Sequence, residues 1–330
     1  MSMRSALLIL ALVLCSVHPA AARPVVGFIM GSPGLGDSSF NDLAFEGARK
    51  AQKAFGFELV ALKPNARGEV DASGLKQLFD RAGIIVLLGD QNLELARASA
   101  AAHPEKRFIL VDMPVEGVPN MASVVFDQHE GAFLAGALAA AVSETGVIGF
   151  IGGTAIGPVV AFEHGFREGA DFMKPGVEVL VSYAAGPGDY SGFTKPERGY
   201  QLALAQYEDE ADIVFAAAGR TGVGVIRAAR DTGHLAIGVD ADQDGLARGF
   251  VLTSVMKRMD TAVYSQIEKA LENAFRPGIV RYGLENGGVG LSAMKYTRDK
   301  VPEQVLAKID EIRSRIVAGE ITVTDPAAGK

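Results

Sequence analysis

Residues 236–260, AIGVDADQDGLARGFVLTSVMKRMD, carry the groups best placed to hold a small molecule. The apolar run Ala236–Val239 reads as a buried strand, and Asp240 follows it in an acidic turn. An extended run, Val251–Lys257, then reaches a lone lysine. In parallel α/β proteins, ligands bind beyond the carboxyl ends of the strands. Asp240 is therefore set to accept hydrogen bonds from ligand hydroxyl groups, each worth about 1.5–3 kcal/mol when the acceptor is charged. The competing reading is a carboxylate that merely caps the following turn. Asp112 stands in the same relation to the run Phe108–Val111, and Lys257 can donate to a ligand oxygen or ring nitrogen.

Catalysis has little to stand on. His103, His129, His164 and His234 are scattered without metal-ligand spacing, and no Gly-x-Ser-x-Gly elbow occurs. Gly219-Arg-Thr-Gly222-Val-Gly224 opens a helix whose N–H groups suit an anion, but the phosphate-loop lysine is missing. No catalytic residue, metal or cofactor is expected. The net charge of −7 is spread over interspersed signs with no basic stripe, so nucleic acid is not expected as a partner.

The elements that must position these residues follow a regular alternation. Val25–Met30, Glu58–Leu62, Ile84–Leu88 and Phe108–Val111 are strand-like, with helical stretches around Leu43–Phe55, Gly74–Arg81 and Leu93–Ala102. The pattern resumes with Val147–Ile151, Val177–Tyr183, Ile213–Ala216 and Leu235–Val239. Continuous apolar strands alternating with helices indicate parallel sheets covered on both faces. Two series of similar length predict an α/β protein of two doubly wound lobes. The break falls near Ser123–Asp127, and Val251–Lys257 and Gly287–Leu291 read as further crossings, so the chain should pass between lobes several times. The predicted division is 23–126 with 255–284 against 127–254 with 285–330, leaving a cleft between them for a ligand.

Residues 1–22 read as an export signal: Arg4, the apolar core Leu7–Val17, then Ala20-Ala21-Ala22 for the peptidase. Cleavage after Ala22 removes Cys15, the only cysteine, and leaves a disulfide-free protein of about 308 residues, ample for its own core. Lipidation at Cys15 is the alternative; the bulky Leu14 before it argues against that route. A periplasmic location is the expectation.

Five segments in order, SSFNDLAFEGARKA (38–51), FDQHEGAFLAGALAA (126–140), AAAGRTGVGVIRAA (216–229), GVDADQ (238–243) and LTSVMKR (252–258), resemble the basic membrane protein family of ABC-transporter substrate-binding proteins. The similarity runs from Val25 to about Leu291. It implies a type I periplasmic-binding-protein fold with a multi-strand hinge, and capture of a purine nucleoside or related heteroaromatic compound between closing lobes. By resemblance, Asp37, Asn41 and Phe45 contribute from the loop and helix after the first strand. Asp112 matches a cleft carboxylate, Phe193 the aromatic of the second lobe, and Gly219, Asp240 and Lys257 match contacts to base or ribose. One departure is Gly36, where many members carry an acidic residue.

Each of these has a plainer reading. Phe45 sits on the apolar face of a helix and would serve as core, while Phe193 has Tyr190 near it as a rival for the same role. Asn41 suits a helix cap nearly as well as a base edge. The resemblance further implies a monomer that hands its ligand to an inner-membrane ABC permease driven by a separate cytoplasmic ATPase. A ligand-sensing subunit of a membrane receptor and an exported nucleoside hydrolase are the alternatives weighed.

Overall fold

A computed structural model of the protein describes residues 23–65 and 69–326. The segment read as an export signal, with Cys15 and the expected cleavage point at Ala22, lies outside the described residues. The chain first builds β1 (Val25–Ile29), α1 (Phe40–Phe55), β2 (Glu58–Leu62), α2 (Ala72–Arg81), β3 (Ile84–Leu88), α3 (Leu93–Ala102), β4 (Arg107–Val111) and β5 (Met121–Phe126). It then crosses to α4 (Gln128–Val142), β6 (Val147–Gly152), α5 (Gly157–Met173), β7 (Glu178–Tyr183), α6 (Pro196–Glu208), β8 (Ile213–Ala217), α7 (Arg220–Thr232), β9 (Leu235–Asp240) and β10 (Val251–Lys257). It returns for α8 (Met259–Leu271) and β11 (Gly278–Tyr282), and crosses a last time into β12 (Val289–Leu291) and α9 (Glu303–Val317).

Two six-stranded sheets result, ordered β11-β5-β4-β3-β1-β2 and β12-β10-β9-β8-β6-β7. The first is parallel throughout, and in the second only β12 runs antiparallel, against β10. Because side chains alternate along a strand, β3 sends Ile84, Val86 and Leu88 into one core and Ile85 and Leu87 into another. The first core lies under α1 and α8 and continues beneath α4, α5 and α9 of the other lobe; the second lies under α2 and α3. On the second sheet Val214, Ala216 and Ala236 meet α6 and α7. Strands covered on both faces explain the unbroken apolar runs in the sequence.

The three crossings lie side by side. Asp127 N donates to the Tyr282 carbonyl at 2.8 Å and Arg258 N to that of Gly288 at 2.8 Å. Glu130 accepts from Leu284 N at 2.9 Å, and Arg281 pairs with Asp127 at 2.5 Å. The sequence reading differs from this arrangement in two respects. It set the second crossing at residue 255, but β10 stays paired in the second sheet to Lys257. It also saw no strand at Gly278–Tyr282, a five-residue, half-exposed edge whose short alternation carries little signal.

Packing of α4 on α5 depends on glycine. A Cβ at Gly136 would lie 1.9 Å from the Phe166 carbonyl oxygen, one at Gly165 2.1 Å from that of His129, and one at Gly169 2.0 Å from that of Phe133. The two backbones touch directly, and α4 is buried nearly all round. Gly169→Ala should therefore lower stability by about 1–3 kcal/mol, the usual cost of overpacking. Gly157→Ala, where a Cβ meets nothing within 4 Å, should change it by less than about 0.5 kcal/mol. Denaturant titration of the two variants checks this.

Candidate functional site

The carboxyl ends of both sheets face one cavity between the lobes, with about 660 Å³ outside the protein atoms, mouth included. Asp37, Asp112, Phe193, Gly219, Asp240 and Lys257 all line it. At its centre Lys257, only 1% exposed, pairs with Asp112 at 2.5 Å. The lysine comes from β10 and the aspartate from the end of β4, so the pair joins the lobes. Around the ammonium stand the rings of Phe126, Phe40 and Phe162, with centroids at 5.2, 5.6 and 5.6 Å, within cation–π reach.

Asp240, the last residue of β9, accepts from the Ser39 hydroxyl of the first lobe at 2.5 Å. Beside it Gln243 donates to the Ser38 carbonyl at 2.9 Å. Burial pushes the Asp240 carboxyl up to about 6, against the opposing pull of Lys257 and the Ser39 hydrogen bond. Burial likewise raises Asp112, with Lys257 opposing. Asp112 and Asp240 both hold left-handed backbone, φ 76° and 65°, which asparagine and aspartate tolerate better than other side chains. Such conformations cluster at ligand sites, where the surrounding structure holds them in place.

The loop between β1 and α1 is fixed from behind. Asp37 accepts from Ser39 N, Asn41 N, Asn41 Nδ2 and Asp42 N at 2.9–3.2 Å. Asn41 accepts from Gly31 N at 3.0 Å and is fully buried. Its amide is thus spent on the loop, and it does not line the cavity. Even with those donors, burial raises the Asp37 carboxyl. Gly36 is exposed with φ 87°, its N–H bound to Asp42, and it too is outside the cavity lining.

Phe45 is also misplaced by the sequence reading. It packs edge-on against Phe28 at 5.4 Å, inside the first lobe, while Phe40, one and a half turns earlier, reaches the cavity. The two are five residues apart, so they cannot share a helix face. Phe193 supplies the ring of the second lobe. It lies over Gly153, where a Cβ would stand 2.2 Å from the ring, and beside Gly219, whose φ of 53° opens α7. Asp90, Phe162 and Tyr190 also line the cavity and were not assigned from the sequence. Asp90 follows the apolar run of β3 as Asp112 follows that of β4, so the rule that found one could have found the other. Phe162 lies within α5 and gave no such signal. Among the described residues, no group of His, Cys, Asp and Glu is arranged to hold a metal.

The profile of the family described as ABC transporter substrate-binding protein PnrA-like matches residues 25–326. Basic membrane protein A of Borreliella afzelii is 34% identical over 298 residues, 87% of each chain. An uncharacterized lipoprotein of Pyrococcus furiosus is 31% identical, over 87% of this chain and 78% of its own. Among solved structures, an ABC transporter solute-binding protein from Aeropyrum pernix superposes with a TM-score of 0.83 at 25% identity, covering 93% of this chain and 94% of the other.

The buried pair yields a signed test. Lys257→Met keeps the aliphatic stem but leaves Asp112 and Asp240 without their cation, which should cost about 3–5 kcal/mol at pH 7.5. Both carboxyls have folded values raised above their unfolded ones, so the native state binds protons the more tightly. Acidification from about pH 6 toward 4 then favours the native state, most of all in the variant. The gap to the unmodified protein should narrow at pH 5 when both are unfolded in urea.

Proposed function

Because the chain belongs to the family of PnrA-like ABC transporter substrate-binding proteins, we propose that it captures a purine nucleoside for an importer. Family membership makes it a binding protein rather than an enzyme, with a small-molecule ligand, a membrane permease and an ATPase as its partners. No helix among the described residues is long and apolar enough to cross a membrane. The fold supplies the two parallel-sheet lobes of the type I periplasmic-binding class, and closure about their crossings is the binding motion. In this reading residues 23–126 and 258–284 move as one body, and 127–257 with 285–326 as the other.

The observation that carries the nucleoside reading is the pairing of flat and charged surfaces in one cavity. Phe40 and Phe193 offer one ring from each lobe for a planar base, each worth about 0.5–1.5 kcal/mol beyond the area it buries. Asp240, Asp112 and Lys257 offer acceptors and a donor for ribose hydroxyls. Ligand contacts of this kind engage both lobes at once and so favour the closed form.

Export is proposed to follow from the signal, with cleavage after Ala22; the lipoprotein among the relatives makes attachment at Cys15 the alternative. Intact-mass measurement of the exported protein should give a chain starting at Arg23. A diacylated chain starting at Cys15 would instead make it a membrane-tethered receptor.

Calorimetry tests the ligand. Asp240→Ala should weaken a ribonucleoside by about 2–4 kcal/mol, the loss of one or two charged hydrogen bonds, and leave the free base nearly unchanged. Equal weakening of nucleoside and base, or a lowered melting temperature alone, would make Asp240 a structural residue. The nucleoside should be recovered intact after incubation with the protein.

A further inference from the structure

One polar pair in the cavity has no part in the ribose contacts proposed above. Asp90, next after Gly89 at the end of β3, is half-buried, and the Tyr190 hydroxyl donates to its carboxylate across the cleft. Both line the cavity. Each is tied to one of the two rings proposed to hold the base. A Cβ at Gly89 would lie 3.6 Å from the Phe40 ring, so the backbone carrying Asp90 rests against that ring. Tyr190 and Phe193 belong to one 3-10 turn, with ring centroids 6.5 Å apart. The pair therefore links the backbone beside one ring to the turn that carries the other.

Asp90 follows β3 of the first sheet, whereas Asp240 ends β9 of the second. Among the described residues the Tyr190 hydroxyl is the donor on one of the Asp90 oxygens, and a carboxylate has acceptor capacity to spare.

We infer that Asp90 reads the edge of the bound ring by accepting an N–H from it, with Tyr190 positioning the carboxylate, so that the protein favours rings carrying an N–H donor on that edge over rings carrying acceptors only. The inference rests on the nucleoside reading and narrows it. Adenosine, with its amino group, and inosine, with its ring N–H, satisfy Asp90. Purine riboside, which has only acceptors there, sets a lone pair against the carboxylate.

Calorimetry with these three nucleosides decides it. The unmodified protein should bind adenosine and inosine about 10- to 100-fold more tightly than purine riboside, the span of one hydrogen bond to a charged group. Asp90→Asn keeps the shape but adds an amide donor. Purine riboside should then tighten while adenosine weakens, bringing the three within about threefold of one another. A gain in affinity for one ligand cannot come from misfolding. Tyr190→Phe should shrink the preference while leaving the purine riboside affinity in place. Equal weakening of all three ligands in Asp90→Asn, or an unchanged preference, would overturn the assignment of Asp90 and leave the nucleoside reading standing. If the unmodified protein binds none of the three, the nucleoside reading itself fails and the inference falls with it.

Discussion

The cleft is organised around a cation removed from water. Lys257 is almost wholly buried, and an unpaired ammonium there would cost several kcal/mol. Asp112 compensates it from the opposite lobe, and three phenyl rings surround it. Two of these rings, Phe40 and Phe126, come from the first lobe, and Phe162 from the second. The lysine thus needs both lobes, which couples its local electrostatics to their relative position. Asp240 is buried nearby with Ser39 across the cleft, so a second charge depends on the same closure.

The two lobes repeat one design. Reading each sheet from its far edge, β2-β1-β3-β4-β5 corresponds strand for strand to β7-β6-β8-β9-β10, and the added strands β11 and β12 run in opposite senses against them. Asp112 after β4 and Asp240 at the end of β9 are therefore equivalent positions, and both are left-handed. Equivalence is broken at the next strand: Phe126 ends β5 and Lys257 ends β10. A symmetric pair of carboxylates thus meets an asymmetric pair of apolar and cationic groups, which gives the cavity a polar direction. The short sequences LVD and GVD at these strand ends are the visible trace of the repeat, too brief to register as a period.

The parts legible in the sequence were those with a repeating physical cause. Strands buried on both faces leave long apolar runs, and Ile84–Leu88 was bounded correctly for that reason. Asp112, Asp240 and Lys257 follow such runs and could be found by position alone. Phe45 entered the site by resemblance alone, against a helix periodicity that placed it in the core, and the cavity meets the helix at its first residue, Phe40. Asn41 was the right kind of residue in the right loop, but an amide can hold a loop as well as a ligand, and only the Gly31 and Asp37 hydrogen bonds separate these roles. Tyr190 meets Asp90 over a separation of 100 residues, which no local pattern encodes.

The last crossings also bear on the order in which the polypeptide can be completed. The first lobe comprises not only its opening segment but also α8 and β11, which follow the whole of β6–β10 in sequence. Until residues 259–282 have emerged, α1 lacks the helix that covers Ala44, Ala48 and Ala51, and β5 presents an open strand edge. Such an edge is a template for pairing with other chains, and contacts so distant in sequence form late. A chain threaded amino end first through a membrane pore therefore exposes an unfinished first lobe while the second is still arriving. Vectorial synthesis thus leaves the beginning of the molecule waiting on its end.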